Sequence, residues 1–384
     1  MSRNRVIYQS EGLYVSSGLN STGSGEHKQL RRVQSANYSF EIARKDVNQF
    51  GQLARIDALV LQSPTVSLDL DYYLADGFNE SALGFYMQGA GGSKGPAAQG
   101  NFASGQMISS SGRNFYIVTT SEGTDLNFET GSATALSGKS VIGVGNGFIT
   151  NYSVDASVGN FPTVKVSVEG LGFNVSSYDI NGNTTGVPTP AINPTDGTKL
   201  STGTSNYIKL PNPSSGDGVT ALRPGDITLT FGGFTGTGAT PSVNVVSNGA
   251  DAINIQSVSL SLPMSRTPIE RLGSRFAFAR VVDFPIVSTM TVNALVNEQQ
   301  ARNLADMIDD GAERDITLTI NKPGSNPPVP AVQYVFKAAR FDSQGFSSDI
   351  GSNKSVDLSF STQIGGPNDI IHGIFFSGDS DRAF

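Results

Sequence analysis

The sequence predicts a mainly β chain made of two duplicated units, each a set of amphipathic strands flanked by a helix, with a small β-rich insert between them. Three observations predict this. Residues 33–51, VQSANYSFEIARKDVNQFG, align without a gap on residues 255–273, IQSVSLSLPMSRTPIERLG. Gln34, Ser35, Ser39, Arg44 and Gly51 fall on Gln256, Ser257, Ser261, Arg266 and Gly273. A self-match at long period marks two copies of one structural unit. The second observation is strict apolar/polar alternation in both copies, the period of a strand with one buried and one wet face. The third is composition: 44 glycines and only 15% charged residues in 384, the profile of a turn-rich β protein.

The self-match continues in order. Asn79-Glu80 corresponds to Asn297-Glu298, Arg113 to Arg314, and Val158-Gly159 to Ile350-Gly351. The separation falls from 222 to 218, 201 and 192 along the chain. The first copy therefore holds the longer loops, chiefly in the glycine-rich stretch 89–105, because surface loops tolerate insertion while packed elements do not.

Residues 1–32 are expected to form an N-terminal arm. The first unit, 33–170, opens with a strand placing Ala36, Tyr38, Phe40 and Ile42 on the buried side and Ser35, Asn37, Ser39 and Glu41 on the wet side. A second strand sets Val66, Leu68, Leu70 and Tyr72 against Ser67, Asp69 and Asp71. A short helix is expected from Asn79, with Leu83, Phe85 and Tyr86 on its apolar face. Later, Val164, Val166 and Val168 alternate with Lys165, Ser167 and Glu169.

Residues 171–254 have no partner in the other copy and read as an inserted β-rich linker or outer domain, with short strands at 226–231 and 243–246. The second unit, 255–365, repeats the scheme. Val258, Leu260, Leu262 and Met264 oppose Ser257, Ser259 and Ser261, while Val356, Leu358 and Phe360 oppose Asp357, Ser359 and Ser361. The clearest helix of the chain is expected at 298–310, capped by Asn297 with Gln300 completing a capping box and Gly311 ending it. Residues 366–384 read as a C-terminal arm, with Phe375-Phe376 docking on a neighbour or on the chain's own surface.

Composition also narrows function. The net charge is −7 and the pI about 4.9, without the clustered Lys and Arg that a tight nucleic-acid grip needs. No cysteine is present, which excludes disulfides and thiolate metal sites. No stretch approaches the ~20 apolar residues of a membrane span, and the N-terminus lacks the apolar run of a secretory signal. The expectation is a chain made in a cytoplasm with no membrane anchor.

No catalytic set emerges. The two histidines, His27 and His372, lie near opposite ends and read as surface residues. Gly138-Lys139-Ser140 resembles the end of a phosphate loop, but Ala133 stands where its first glycine belongs. Asp179, Asn181 and Asn183 open like a calcium loop, yet Thr184 and Pro190 occupy the positions of the required glycine and glutamate. Asp309, Asp310 and Glu313 read as a solvated helix end, and no serine sits in a Gly-x-Ser-x-Gly elbow. The chain is expected to be neither an enzyme nor a carrier of a cofactor or metal.

The segments RNRVIYQSEGLYVS, RRVQSANYSFEIARKDVNQFGQLARID, SPTVSLDLDYYLADG, ITNYSVDASVGNFPTVKVSVEG and QSVSLSLPMSRTPIERLGSRFAFARVVDFP resemble the tail tube (major tail) proteins of tailed bacteriophages. The resemblance covers residues 1–170 and 251–365 and rests on strand and turn patterns. It implies that each unit is a β-sandwich or partly rolled β-barrel flanked by a helix. It also implies subunits joining their sheets into rings, stacked rings forming a tube, other tail proteins as partners, and genomic DNA passing without tight binding. With two units per chain, a trimer would complete a pseudo-sixfold ring. The resemblance places the protein in the virion tail after synthesis in the host cytoplasm. Another virion surface role, in head decoration or a fibre, is the alternative. The candidate lumen residues are Ser35, Asn37, Ser39, Glu41, Asp69 and Asp71, with Ser257, Ser259, Ser261, Asp357 and Ser359 as second-copy equivalents. Candidate inter-subunit residues are Arg44, Asp46 and Gln49 in one loop and Arg266, Glu270 and Arg271 in the other.

Overall fold

The structure, a computed structural model, describes residues 11–19, 26–60, 63–89, 100–109, 112–120, 125–126, 139–177, 187–194, 197–200, 207–208, 210–212, 222–231, 243–244, 254–273, 276–277, 279–295, 313–324, 328–347 and 355–378. Its strands are, in order, β1 (Glu11–Ser16), β2 (His27–Gln29), β3 (Val33–Glu41), β4 (Arg44–Val47), β5 (Asp57–Val60), β6 (Thr65–Tyr73), β7 (Gln88–Gly89), β8 (Arg113–Thr119), β9 (Ser140–Ser157), β10 (Thr163–Gly170) and β11 (Gly172–Ser177). There follow β12 (Val187–Pro188), β13 (Tyr207–Ile208), β14 (Ile227–Phe231), β15 (Val243–Asn244), β16 (Asn254–Pro263), β17 (Arg266–Ile269), β18 (Ala279–Val282), β19 (Ile286–Leu295), β20 (Arg314–Asn321), β21 (Pro330–Ser347), β22 (Ser355–Ile364) and β23 (Gly373–Gly378). Two short helices, α1 (Phe78–Leu83) and α2 (Ser104–Ile108), lie between β6 and β8. The fold is mainly β, and among the described residues all but one of the strand pairings are antiparallel; β7 runs parallel to β23.

The duplication is visible in the register. β3 pairs with β6, β6 with β10, and β10 with the second half of β9. In the same order β16 pairs with β19, β19 with β22, and β22 with the second half of β21. The first halves of the two long strands repeat a second scheme. β9 pairs with β8 and β11, and β1 and β2 extend beyond β8. β21 pairs with β20 and β23, and β14 and β15 extend beyond β20. Partners match residue for residue: Phe115 faces Val144, and Ile316, 201 later, faces Phe336, 192 later.

Each unit is thus a two-layer sandwich whose 18-residue strand, β9 or β21, bends from one layer into the other. β9 also pairs with β16, so the two four-stranded inner layers join into one eight-stranded sheet, β3-β6-β10-β9-β16-β19-β22-β21. One continuous apolar core lies on one side of it. Val66, Leu68, Leu70, Val154, Val164, Val166, Leu260, Leu262, Met290, Val292, Val356 and Leu358 all project there and are buried. At roughly 1.5–3 kcal/mol for each buried Val or Leu side chain, this face is the main source of stability. Where the two units meet, Phe85, Phe102, Tyr152, Tyr334 and Phe376 form an aromatic cluster, with Phe85 and Phe102 stacked 4.3 Å apart.

Several expectations change. The N-terminal arm contains β1 and β2, and Leu13, Tyr14 and Val15 are core residues because β1 pairs beside β8 in the same layer. The C-terminal arm contains β23, which buries Phe375 and Phe376 in this chain. The two strands expected in the insert, β14 and β15, belong to a layer of the second sandwich, and β11, a strand not expected there, completes a layer of the first. α1 starts at Phe78, one residue before the expected Asn79, and is capped by Gly77 and Gly84, so Phe85 and Tyr86 follow the helix. Asn79 instead ties down the β2–β3 connection, accepting from Arg31 N–H and donating to its carbonyl, both at 2.8 Å. His27, on β2 opposite Ser16 of β1, is buried against the Tyr116 ring at 5.7 Å rather than exposed. The helix expected at 298–310 and the calcium-like residues 179–183 lie outside the described residues.

Candidate functional site

The bare side of the eight-stranded sheet is polar from edge to edge. Alternation turns every second residue away from the core, and the register aligns those residues into rows. Asn37 lies opposite Asp69, Asp69 opposite Ser167, and Asp71 opposite Lys165. Across the join, Lys165 lies opposite Ser153, Ser153 opposite Ser261, Ser261 opposite Thr289, and Thr289 opposite Ser361. All eleven lumen candidates, Ser35, Asn37, Ser39, Glu41, Asp69, Asp71, Ser257, Ser259, Ser261, Asp357 and Ser359, fall on this one face.

The face is tied together by short side-chain bonds. Ser39 and Ser67 hydroxyls meet at 2.6 Å, Ser167 donates to Asp69 at 2.7 Å, and Ser259 donates to Asp155 at 2.8 Å. In the second unit Asn293 donates to Asp357 at 2.6 Å and Ser361 to Asp342 at 2.9 Å. Lys165 reaches Asp155 at 3.3 Å. The bulged Asp342 also joins the face, so its carboxylates outnumber its ammonium groups. The sequence reading missed Ser153, Asp155 and Ser157 of β9 and Thr289, Thr291 and Asn293 of β19, although the same two-residue period marks both segments.

The loop candidates separate. Arg44, Asp46 and Gln49 belong to an exposed hairpin, β4–β5, in which Asp46 pairs with Arg55 at 3.1 Å. Glu270 and Arg271 lie at the tip of the equivalent hairpin, β17–β18. Gly51 and Gly273 turn the two tips with φ of 90° and 89°, a conformation that favours glycine. Arg266 is different: it lies over the Phe148 ring at 4.5 Å and donates to the Gln106 carbonyl at 2.5 Å. This locks the second unit to the first within one chain. Arg280 adds an ion pair with Glu169 at 3.0 Å.

The largest departure concerns the apolar side of β3. Tyr38 and Phe40, expected in the core, are each 43% exposed, whereas their second-unit equivalents Leu260 and Leu262 are fully buried. β16 has β9 beside it; among the described residues β3 has only β6. The outer edge of β21 over 341–347 is likewise unpaired among the described residues, because β22 lies on its other side.

The Glu80 carboxyl is sealed inside. Glu80 accepts hydrogen bonds from the Tyr72 hydroxyl at 2.8 Å and the Tyr152 hydroxyl at 3.1 Å, and Tyr152 meets Tyr334 at 2.8 Å. Burial pushes the Glu80 carboxyl up to about 7, against the opposing pull of these hydroxyls. Among the described residues, no three His, Cys, Asp or Glu side chains are placed to hold a metal ion. No described helix is long and apolar enough to cross a membrane.

No protein-family profile matches the chain, and no curated protein does. Among solved structures, a chain of the cryo-EM structure of the anti-feeding prophage baseplate, 6-fold symmetrised, aligns with 40% of this chain and 93% of its own length. The identity is 13% and the TM-score 0.25, a superposition too loose to bear on function.

Proposed function

We propose that the chain is a structural virion subunit that closes into rings through its own sheet edges and stacks those rings into a phage tail tube, the channel for DNA ejection. The observation that carries this reading is the join between β9 and β16. The chain already makes one unit-to-unit junction internally, and it leaves the complementary edges, β3 and β21, without strand partners among the described residues. Long unpaired edges are an aggregation hazard, and closure removes them.

Two units per chain make three chains the natural complement of a pseudo-sixfold ring. Three eight-stranded sheets joined edge to edge give about 24 strands, and at a spacing of ~4.8 Å the barrel is roughly 35–50 Å across, depending on tilt. Such a barrel leaves an open channel. The sandwich layers cover the apolar side of the sheet, so closure with these layers outside turns the polar side inward. On this lumen the cations Lys165 and Arg340 are paired with Asp155 and Glu313 and are outnumbered by carboxylates, so it offers phosphates little net cationic grip. DNA would pass without the counterion release that holds it on basic surfaces. This role requires no catalysis. The exposed hairpins bearing Arg44, Asp46 and Gln49, and Glu270 and Arg271, are the candidates for contacts between stacked rings and with other tail proteins.

Electron microscopy of the purified, concentrated protein tests the reading. Hollow tubes of stacked rings support it; discrete closed oligomers without an open channel would support a head-decoration or fibre role instead.

A further inference from the structure

We infer that β3 of one chain pairs with β21 of a second copy, antiparallel and in the register Glu41 opposite Ser343, Ser39 opposite Gly345 and Asn37 opposite Ser347. This rests on the ring reading above and names the contact that would close it.

The register follows from the internal junction. There Asn151 lies opposite Pro263, Ser153 opposite Ser261, and Asp155 opposite Ser259. Each strand has an equivalent fixed by its own partners. Val258 faces Val292 as Ala36 faces Leu70, which places β3 222 positions before β16. Val164 faces Val154 as Val356 faces Phe346, which places the end of β21 192 positions after the end of β9. Transferring both offsets turns the β9·β16 pairs into the β21·β3 pairs. The faces also agree. Ser39 lies on the polar side beside Ser67, and Gly345 lies on the same side beside Asp357.

The occupant is a second copy because the edge carries the solvent exposure that the internal junction removes. Tyr38 and Phe40 stand 43% exposed on β3, while Leu260 and Leu262, at the same places on β16, are covered by β9 and its core. An extended edge of nine residues with one apolar face accepts a strand, whose main-chain bonds supply affinity and whose alternate side chains fix register. Among the described residues, the strand of matching shape and polarity is the end of β21, whose outer edge has no strand partner.

The chain has no cysteine, so introduced pairs report cleanly. Opposed residues of an antiparallel pair lie ~4.5–5.5 Å apart at Cα, inside the range a disulfide spans. The full chain carrying Ser39→Cys with Gly345→Cys, and separately Asn37→Cys with Ser347→Cys, is assembled, checked for rings by microscopy, oxidised and run without reductant. The expected result is a cross-linked ladder ending at three chains for both pairs, and no such ladder for the out-of-register pair Asn37→Cys with Ser343→Cys. Rings that form but stay unlinked in both in-register pairs, or that link through the out-of-register pair, overturn the register while leaving the ring reading intact. A wild-type chain that forms no ring overturns both.

Discussion

Asn146 and Ala338 occupy one place in two copies: 192 positions apart, both have left-handed backbone, with φ of 55° and 51°. Each lies at the register shift in the pairing with β8 or β20, two residues before the pairing with β10 or β22 begins, where the long strand leaves one layer for the other. The kink therefore belongs to the architecture and outlasts the change of side chain. Asparagine tolerates this conformation; alanine sits there at a cost of ~1–2 kcal/mol.

Replacing Ala338 by glycine should relieve that strain, and after glycine's greater unfolded-state entropy it should leave a gain of about 0.5–1 kcal/mol. Asn146→Ala should destabilise by about 2–3 kcal/mol. It removes the amide's bonds to the Ile192 carbonyl at 2.9 Å and from the Ile192 N–H at 2.8 Å, and it puts alanine in the strained geometry. Urea denaturation of both variants checks the pair; a destabilised Ala338→Gly would contradict the account.

Glu80 predicts an inverted pH dependence. Its carboxyl titrates near 7 when folded, above its ordinary 4.5. Between these values the folded chain holds the proton more tightly than the unfolded chain. This contribution is fully present below about pH 4.5 and is lost as pH rises through about 7, amounting to about 3 kcal/mol at most. Glu80→Gln should flatten the stability profile over that window and raise stability relative to wild type at pH 8. Thermal melts across pH 5–8 read this directly, and parallel profiles for the two proteins would count against it.

Arg44 and Arg266 align in sequence but should differ in effect. Arg266→Ala removes a bond to Gln106 and the contact with Phe148 at the unit join, a loss of about 2 kcal/mol in the isolated chain. Arg44→Ala, on an exposed hairpin, should stay within ~0.5 kcal/mol. Equal effects in denaturation of the unassembled chain would mean that Arg266 does not lock the units.

Asp69→Lys combined with Asp357→Lys should leave rings and tubes intact, because both side chains stand on the bare face. In an assembled virion the added cations would grip phosphates and slow DNA ejection. Unchanged infectivity with normal tubes would remove this face from the lumen.

The repeat was legible because gapless identities such as Gln34/Gln256 and Gly51/Gly273 sit in strands and turns whose geometry both copies keep. The polar face was legible from its two-residue period. Burial of Tyr38 and Phe40 was misread for a physical reason: alternation marks which side of a strand is apolar, while burial depends on the neighbouring strand. β1, β14 and β23 escaped notice as sandwich strands because their partners lie ~100 residues away or across the long bent strands, and Leu13, Leu229 and Ile374 carry no local signal of that pairing. Glu80 reads locally as a surface helix residue; Tyr72, Tyr152 and Tyr334, distant in sequence, make its site.

The most direct test is the number of chains in one assembled ring, measured by native mass spectrometry or mass-resolved microscopy. The account predicts three chains of 40.3 kDa, with two similar but unequal units alternating around the circumference. Six chains per ring, or a chain that stays monomeric with β3 exposed at every concentration, would contradict it.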